Sequence, residues 1–386
     1  MARISGRIGT LILLLLLCAG CGTAGGHVSE QPESTMESAE ELYRNALQED
    51  VLVVYTVSTR VVQTKESFES AYPGLAVEVR DLRSPSLIEA VEKEHQSSRP
   101  ECDVVLCNDN SGQFRQHLVD TGLVVPWLPA DIAAHTKDNP DGNGGSFLYE
   151  AEMLFYSSLL YDTCPISNLW ELTEERFRGR IYMPNPLNSF STYALCGAML
   201  QHTDELAEAY RLYAGKDLQT AAGETAAECF WRAAAANIIF TNSSDEVIEA
   251  LSNGDADFGF SVSSKLRYRE LGYRIEPVWN LTPFTGCRTS YAVMIAADSR
   301  NPNTAKLFIR YIMGETDGKG EGYLPFRTAG TWSARDDVPD GNDVPLSEVD
   351  LIVPDQEALI LARDKMQTFW SEVIRDSEKQ HEEKEN

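Results

Sequence analysis

Solid apolar runs alternate with amphipathic segments from residue 51 onward, and that alternation restricts the chain to a narrow set of folds. Residues 51–57 are almost wholly apolar, as a strand covered on both faces requires. Residues 65–72 follow with helical spacing and stop at Pro73-Gly74; 76–81 reads as a second strand, 86–94 as a helix and 103–107 as a third buried strand. A βαβαβ rhythm predicts a largely parallel sheet with helices on both faces, because parallel neighbours need a crossover and the crossover helices cover the sheet. A helix over 39–48 precedes it, with Leu42, Ala46 and Leu47 on one face.

After the Gly- and Asn-rich loop 138–145, the aromatic stretch 147–161 reads as a strand crossing between two lobes. A second alternating unit follows: a strand at 181–183, helices at 192–200, 205–213 and 221–236, then strand, helix, strand at 238–241, 247–251 and 258–261, and a strand at 274–278. Residues 287–296 read as the return crossover, 303–313 as an amphipathic helix of the first lobe and 355–374 as a long C-terminal helix. The length of 386 residues suits two lobes. The expected class is therefore α/β: two mixed sheets flanked by helices and joined by a two-strand hinge. Lobe 1 takes 39–150 and 285–386, with the C-terminal helix, and lobe 2 takes 151–284. Open parallel sheets bind ligands beyond the carboxyl ends of their strands, so the loops after strands are where a site is expected.

The first residues address the chain. Arg3 and Arg7 precede the apolar run Leu11 to Leu17, which is too short to span a bilayer comfortably and suits a signal-peptide core. It ends in Cys18-Ala19-Gly20-Cys21, where small residues before a Cys resemble a bacterial lipobox. The position three before the Cys is Cys18 where Leu is usual. The expectation is a lipoprotein signal at 1–20, lipidation at Cys21 and a flexible Gly- and Ser-rich tether over 21–38. The formal net charge of −26 repels nucleic acid and excludes it as a partner, but it does not set the sign of a buried ligand. Six cysteines remain beyond the signal, and their spacing leaves bridges and free thiols equally open; no Cys-x-x-Cys offers a zinc site there.

Several motifs, in order, carry a family resemblance: Val51 to Ser58, Phe68-x-x-x-Tyr72-Pro73-Gly74, Val77-Glu78-Val79, Asp103 to Leu106, Val247 to Leu251 leading into Gly254-Asp255-Ala256-Asp257-Phe258-Gly259, and Asn301-Pro302-x-x-Ala305-Lys306-Leu307-Phe308. The set resembles the type 2 periplasmic-binding fold, in the branch of ferric-iron, phosphonate and sugar-phosphate receptors of ABC importers, over residues 40 to 330. The resemblance implies two hinged lobes, ligand capture by closure, docking to a permease, and no enzyme activity or cofactor. A monomer is expected.

Three loops after strands carry hydroxyls near helix N-termini: Ser58-Thr59-Arg60 with Gln63, Asn188-Ser189-Phe190-Ser191-Thr192, and Thr241-Asn242-Ser243-Ser244. Free backbone N–H groups and the helix dipole favour an anion there, and Arg60 offers a fork of donors. Taken singly, such residues cap helices, and Ser243-x-x-Glu246 is a capping box. Three loops facing one cleft point to a polyoxygenated or anionic ligand, such as a phosphorylated sugar or a phosphonate. Asn108-Asp109-Asn110, Ser263, Ser264, Thr285 and Arg327 are further candidates, and Trp279 and Tyr291 are candidates for stacking. Ferric-iron members of the family use adjacent tyrosines; this chain has no Tyr-Tyr, and Tyr268 and Tyr273 stand five apart. No metal site is therefore expected, although ferric-iron capture stays as the alternative. Glu150, Glu152 and Asp109 keep a polyamine reading open. An exported hydrolase needs a nucleophile with its base, or a metal cluster, and the six scattered His and missing motifs offer neither.

Overall fold

The computed structural model describes residues 37–108, 110–136, 145–315 and 318–385. The signal at 1–20, Cys21, nearly all of the tether and Asp109 lie outside the described residues. After α1 (Ala39–Ala46), capped by the Ser38 hydroxyl accepting from the Glu41 N–H, the chain forms the expected βαβαβ unit. Its elements are β1 (Leu52–Thr56), α2 (Val61–Ala71), β2 (Val77–Asp81), α3 (Ser84–Ser97) and β3 (Val104–Asn108). β1 lies parallel between β2 and β3, with Val54 paired to Val79 on one side and Val104 on the other. β3 is buried along its whole length, as expected of a strand covered on both faces. Pro73 and Gly74 do end α2, and Gly74 sits at φ +99°, where a side chain is strained. α3 begins two residues before its expected start because Pro85 suits the first turn, where no N–H is needed.

The chain continues through β4 (Val124–Val125), α4 (Ala130–Ala133) and the twelve-residue β5 (Ser146–Ser157). The second half holds β6 (Ile181–Pro184), α5 (Phe190–Gln201), α6 (Thr203–Ala214), α7 (Ala226–Ala235), β7 (Ile238–Thr241), α8 (Ser244–Asn253), β8 (Phe258–Val262) and β9 (Ile275–Pro277). It returns through β10 (Gly286–Ala296) to α9 (Pro302–Ile312), then β11 (Trp332–Ser333), β12 (Leu351–Ile352), α10 (Gln356–Leu361) and α11 (Arg363–Glu385). Strand order is β2-β1-β3-β10-β5-β8-β6-β7. The two sheets expected from the sequence are thus joined into one hydrogen-bonded path. The long strands β5 and β10 pair antiparallel in its middle, from Gly286 against Met153 to Ala292 against Ser146, and leave neither sheet an open inner edge.

Each half has a core on both sides of its strands. In the first, Leu52, Val54, Phe68 and Phe308 pack on one face, and Tyr55, Leu87, Val105 and Phe114 on the other. In the second, Phe177, Met183, Phe230, Trp231 and Phe260 form one layer, and Phe155, Val247, Leu251 and Ile275 the other. A fully buried side chain of this kind contributes about 1.5–3 kcal/mol.

Two expectations shift. Helix α7 begins at Ala226, not 221, because Thr225 and Glu228 close a reciprocal capping box there. The C-terminal helix breaks into α10 and α11 and packs on the second half: Trp370 meets Trp231 with ring centroids 5.3 Å apart, Lys365 pairs with Glu228 at 2.8 Å, and the Ser377 hydroxyl donates to the Ala235 carbonyl at 2.8 Å. The six cysteines beyond the signal are free thiols. Among the described residues no helix is long and apolar enough to cross a membrane.

Candidate functional site

Side chains alternate across a strand, so Glu150 and Glu152 share one face of β5. They are 1% and 0% exposed in the middle of an otherwise apolar strand. Directly opposite residues of an antiparallel pair share a face, which adds Thr289 beside Glu150, Cys287 beside Glu152, and Tyr291 beside Leu148. Asn108 of β3 is paired with Tyr291 and extends the same face. A polar strip therefore runs along the two strands that join the halves.

Loops from both halves close over it. In the loop after β1, Arg60 is 9% exposed. Its Nη2 donates to Glu150 Oε1 at 2.6 Å, its Nε to Ser58 Oγ at 3.2 Å and its Nη1 to Thr331 Oγ1 at 3.3 Å. Its guanidinium also lies 4.9 Å from the centroid of Phe326. Burying an ion pair is costly, and this one is offset by the short charge-assisted contact and the two hydroxyls. In the loop after β6, Ser189 caps α5, and Thr192 Oγ1 lies 2.9 Å from Ser189 Oγ and donates to Glu152 Oε1 at 2.9 Å. In the loop after β8, Ser263 accepts from the Ala151 N–H at 2.8 Å and donates to the Gly330 carbonyl. Gly330 has φ +81°, and a Cβ there would lie 1.9 Å from the Ser263 carbonyl oxygen, so this approach requires glycine. Two residues on, Lys265 is 9% exposed and pairs with Asp245 at 2.6 Å.

Burial pushes the Glu152 carboxyl up to about 8; the Glu150 charge adds to this, while Thr192 and Ser191 pull it back. At neutral pH it holds its proton. Burial, followed by the Glu150 carboxylate, raises the Tyr291 phenol well above its ordinary value. Burial lowers the Lys265 ammonium against the pull of Asp245. The strip leaves several buried polar atoms without a hydrogen-bond partner among the described residues: Glu150 Oε2, Glu152 Oε2 and Thr289 Oγ1, with Asn110 Nδ2 from the loop after β3. Such atoms are costly unless something meets them. The strip therefore brings buried donors and acceptors together where the halves join.

Of the residues singled out from sequence, Ser58, Arg60, Asn108, Ser189, Ser191, Thr192 and Ser263 are brought to this strip or the loops over it. The others are not. Thr59, Asn188, Asn242 and Arg327 are exposed. Ser243 caps α8, accepting from the Glu246 N–H at 3.3 Å. Thr285 is buried with its hydroxyl donating to the Trp279 carbonyl at 2.9 Å. Sequence reasoning missed Lys265, Thr289 and Thr331, and gave Glu150 and Glu152 only a minor role. The signal for the two acids was there: alternate acids inside an apolar strand have no reason to be buried except a partner or a ligand. Tyr268 and Tyr273 do meet, with ring centroids 5.2 Å apart, but Tyr268 donates to Asp245 at 2.8 Å and carries Lys265 and Arg267 against its ring. Elsewhere, His135, Asp336 and Asp337 bring three metal-ligand atoms within 4.8 Å of one another, but Arg335 takes both carboxylate oxygens of Asp337, at 2.9 and 2.8 Å.

No curated protein sequence matches the chain. Solved structures match its fold. Iron-bound HitA from Pseudomonas aeruginosa gives a TM-score of 0.61 at 17% identity, over 84% of this chain and 99% of HitA. The periplasmic binding protein AfuA from Actinobacillus pleuropneumoniae, with exogenous fructose-6-phosphate bound, gives 0.62 at 17% identity, over 84% and 98%. The substrate binding protein of an ABC transporter from Agrobacterium tumefaciens gives 0.64 at 15% identity, over 84% and 94%. These are two-lobe periplasmic binding proteins, and this chain shares their type 2 fold. The model of the bacterial extracellular solute-binding proteins matches residues 51–317, most of the chain, and to that family the chain belongs.

Proposed function

We propose that this solute-binding protein of the ABC-importer type captures a small organic phosphate or phosphonate between two lobes, one built from 39–150 with 285–355 and the other from 151–284 with α10 and α11, and presents the closed form to a permease. In this reading residues 1–20 are removed on export, Cys21 carries the lipid anchor, and the protein works as a monomer without catalysis or cofactor. The observation that supports it is the convergence of Arg60 with the hydroxyls of Ser58, Ser189, Ser191, Thr192 and Ser263 on the strip where β5 and β10 join the halves. Closure then follows from differential affinity: a ligand touching loops of both lobes binds the closed state more tightly and shifts the population toward it. The match to structures holding fructose-6-phosphate or iron is consistent with either class of cargo.

The test is a melting screen with organic phosphates, phosphonates, neutral sugars and ferric citrate. A ligand of the native state raises the midpoint in proportion to RT ln(1 + [L]/Kd). Organic phosphates or phosphonates are expected to raise it, and Ser189→Ala to weaken binding by about 1–3 kcal/mol. A midpoint indifferent to all of them would sink the reading. Ferric iron is the second reading, favoured by the contact of Tyr268 with Tyr273. It requires phenolate ligands, and Tyr268 is already engaged by Asp245 at 2.8 Å, so no charge-transfer colour is expected on adding iron. The appearance of that colour would favour iron.

A further inference from the structure

Side chains alternate along β10, so Arg288, between Cys287 and Thr289, lies on the face of the sheet away from the polar strip. Ala151 is its pairing partner on β5, and Tyr149, paired with Trp332 of β11, shares this rear face. The Arg288 guanidinium lies 5.1 Å from the centroid of the Tyr149 ring, and its Nε and Nη2 are buried with no hydrogen-bond partner among the described residues. Other buried arginines are matched: Arg60 has Glu150, Arg310 has Asp131 and Arg335 has Asp337. Taking a cation out of water without a counter-charge is costly, and an aromatic face offsets only part of that cost. Nε and Nη2 carry the parallel N–H bonds of one edge of the guanidinium, the edge that takes both oxygens of a carboxylate.

Arg288 lines a cavity of about 460 Å³, within the size range of small-molecule sites. The chain between β11 and β12 covers it, and Trp332, Leu346, Val349, Leu351 and Val353 make its walls largely apolar. β12 runs parallel to β10 with Ile352 against Cys287, a register that carries Val353 to the level of Arg288. The Trp332 Nε1 donates to the Val344 carbonyl at 2.9 Å, so its indole has no donor left for a ligand. Asp340 also lines the cavity, and the whole chain carries −26, so a second negative charge on a ligand is disfavoured.

We propose that this rear pocket is a second binding site, separate from the interlobe cleft, for a small monocarboxylate with an apolar body. Arg288 takes the carboxylate through Nε and Nη2, and the apolar walls cover the rest. An occupant ties β10 to the chain segment that leads into β12.

The experiment is calorimetric titration of the purified protein with benzoate, hexanoate, acetate, benzyl alcohol and inorganic phosphate, with amide exchange on the same mixtures. Benzoate or hexanoate is expected to bind at least tenfold more tightly than acetate, benzyl alcohol or phosphate, and to slow exchange over 286–290 and 344–353. Arg288→Met keeps the stem against Tyr149 and is expected to weaken that binding at least tenfold. Val353→Glu, at a position 41% exposed, sets a carboxylate level with Arg288 and is expected to do the same by competing for the fork. Circular dichroism confirms that the variants fold, and Val353→Glu carries the test alone if Arg288→Met does not. Acetate or phosphate binding as tightly as the larger carboxylates overturns the proposed ligand class. Wild-type affinity in a folded Arg288→Met or Val353→Glu puts the carboxylate elsewhere and overturns the site. Silence from all five probes shows that water alone meets the fork, and overturns it too. None of these outcomes bears on the interlobe cleft.

Discussion

Among the described residues Glu152 has no cation of its own: its contacts are the Thr192 hydroxyl, with Ser191 nearby, and the next acid along the strip is Glu150. Its native pKa, about 8 against an ordinary 4.5, means that the folded protein holds a proton that the unfolded chain releases between those values. Stability must therefore fall as pH rises through that window, by at most about 1.4 kcal/mol per pH unit from this one group. Glu152→Gln removes the titration, so urea melts of the variant should lose that downward slope and gain most over wild type at about pH 8. An unchanged slope would mean the carboxyl is charged in the fold. At this scale the sequence was half legible. Ser58, Ser189, Thr192 and Ser263 declared themselves because each follows a buried strand. Arg60 was visible as a cation, but its bond to Glu150 spans ninety residues and depends on the register of β5 against its neighbours, which local periodicity cannot supply. Lys265 hid among surface-like charges because only burial distinguishes it from Arg267 and Arg269.

Among elements, the strands were the easiest to place. β1 and β3 are so apolar that only a doubly covered sheet position suits them, and they emerged within one or two residues. Helix starts were harder wherever a cap overruled composition: the Ala-rich stretch extends back to 221, but the Thr225–Glu228 box fixes the first turn of α7. One close junction between elements is the loop before β11 against the loop after β8, where Gly330 meets Ser263. Replacing Gly330 by Ala adds a left-handed backbone penalty to an overlap with a carbonyl that cannot turn away. A loss of at least about 2 kcal/mol in denaturant unfolding is expected. A variant as stable as wild type would show that these loops separate freely.

Across the whole molecule, the chain passes between the halves three times: through β5, through β10 and through the segment that carries β11 and β12. The last passage delivers α11 to the second half, where Trp370, Met366 and Val373 complete the layer around Trp231 and Phe230. Deleting residues 356–385 should strip that layer and expose Trp231. Near-ultraviolet circular dichroism and limited proteolysis should then show loss of fixed packing in 181–262, with 52–108 better protected. An intact, cooperatively melting truncate would contradict this. A chain that emerges amino end first can assemble its first three strands early, yet the layer around Trp231 has to wait for residues near 370. Until residues near 370 are out, the molecule is a finished sheet edge joined to an unfinished one, and α11 commits it to its native form.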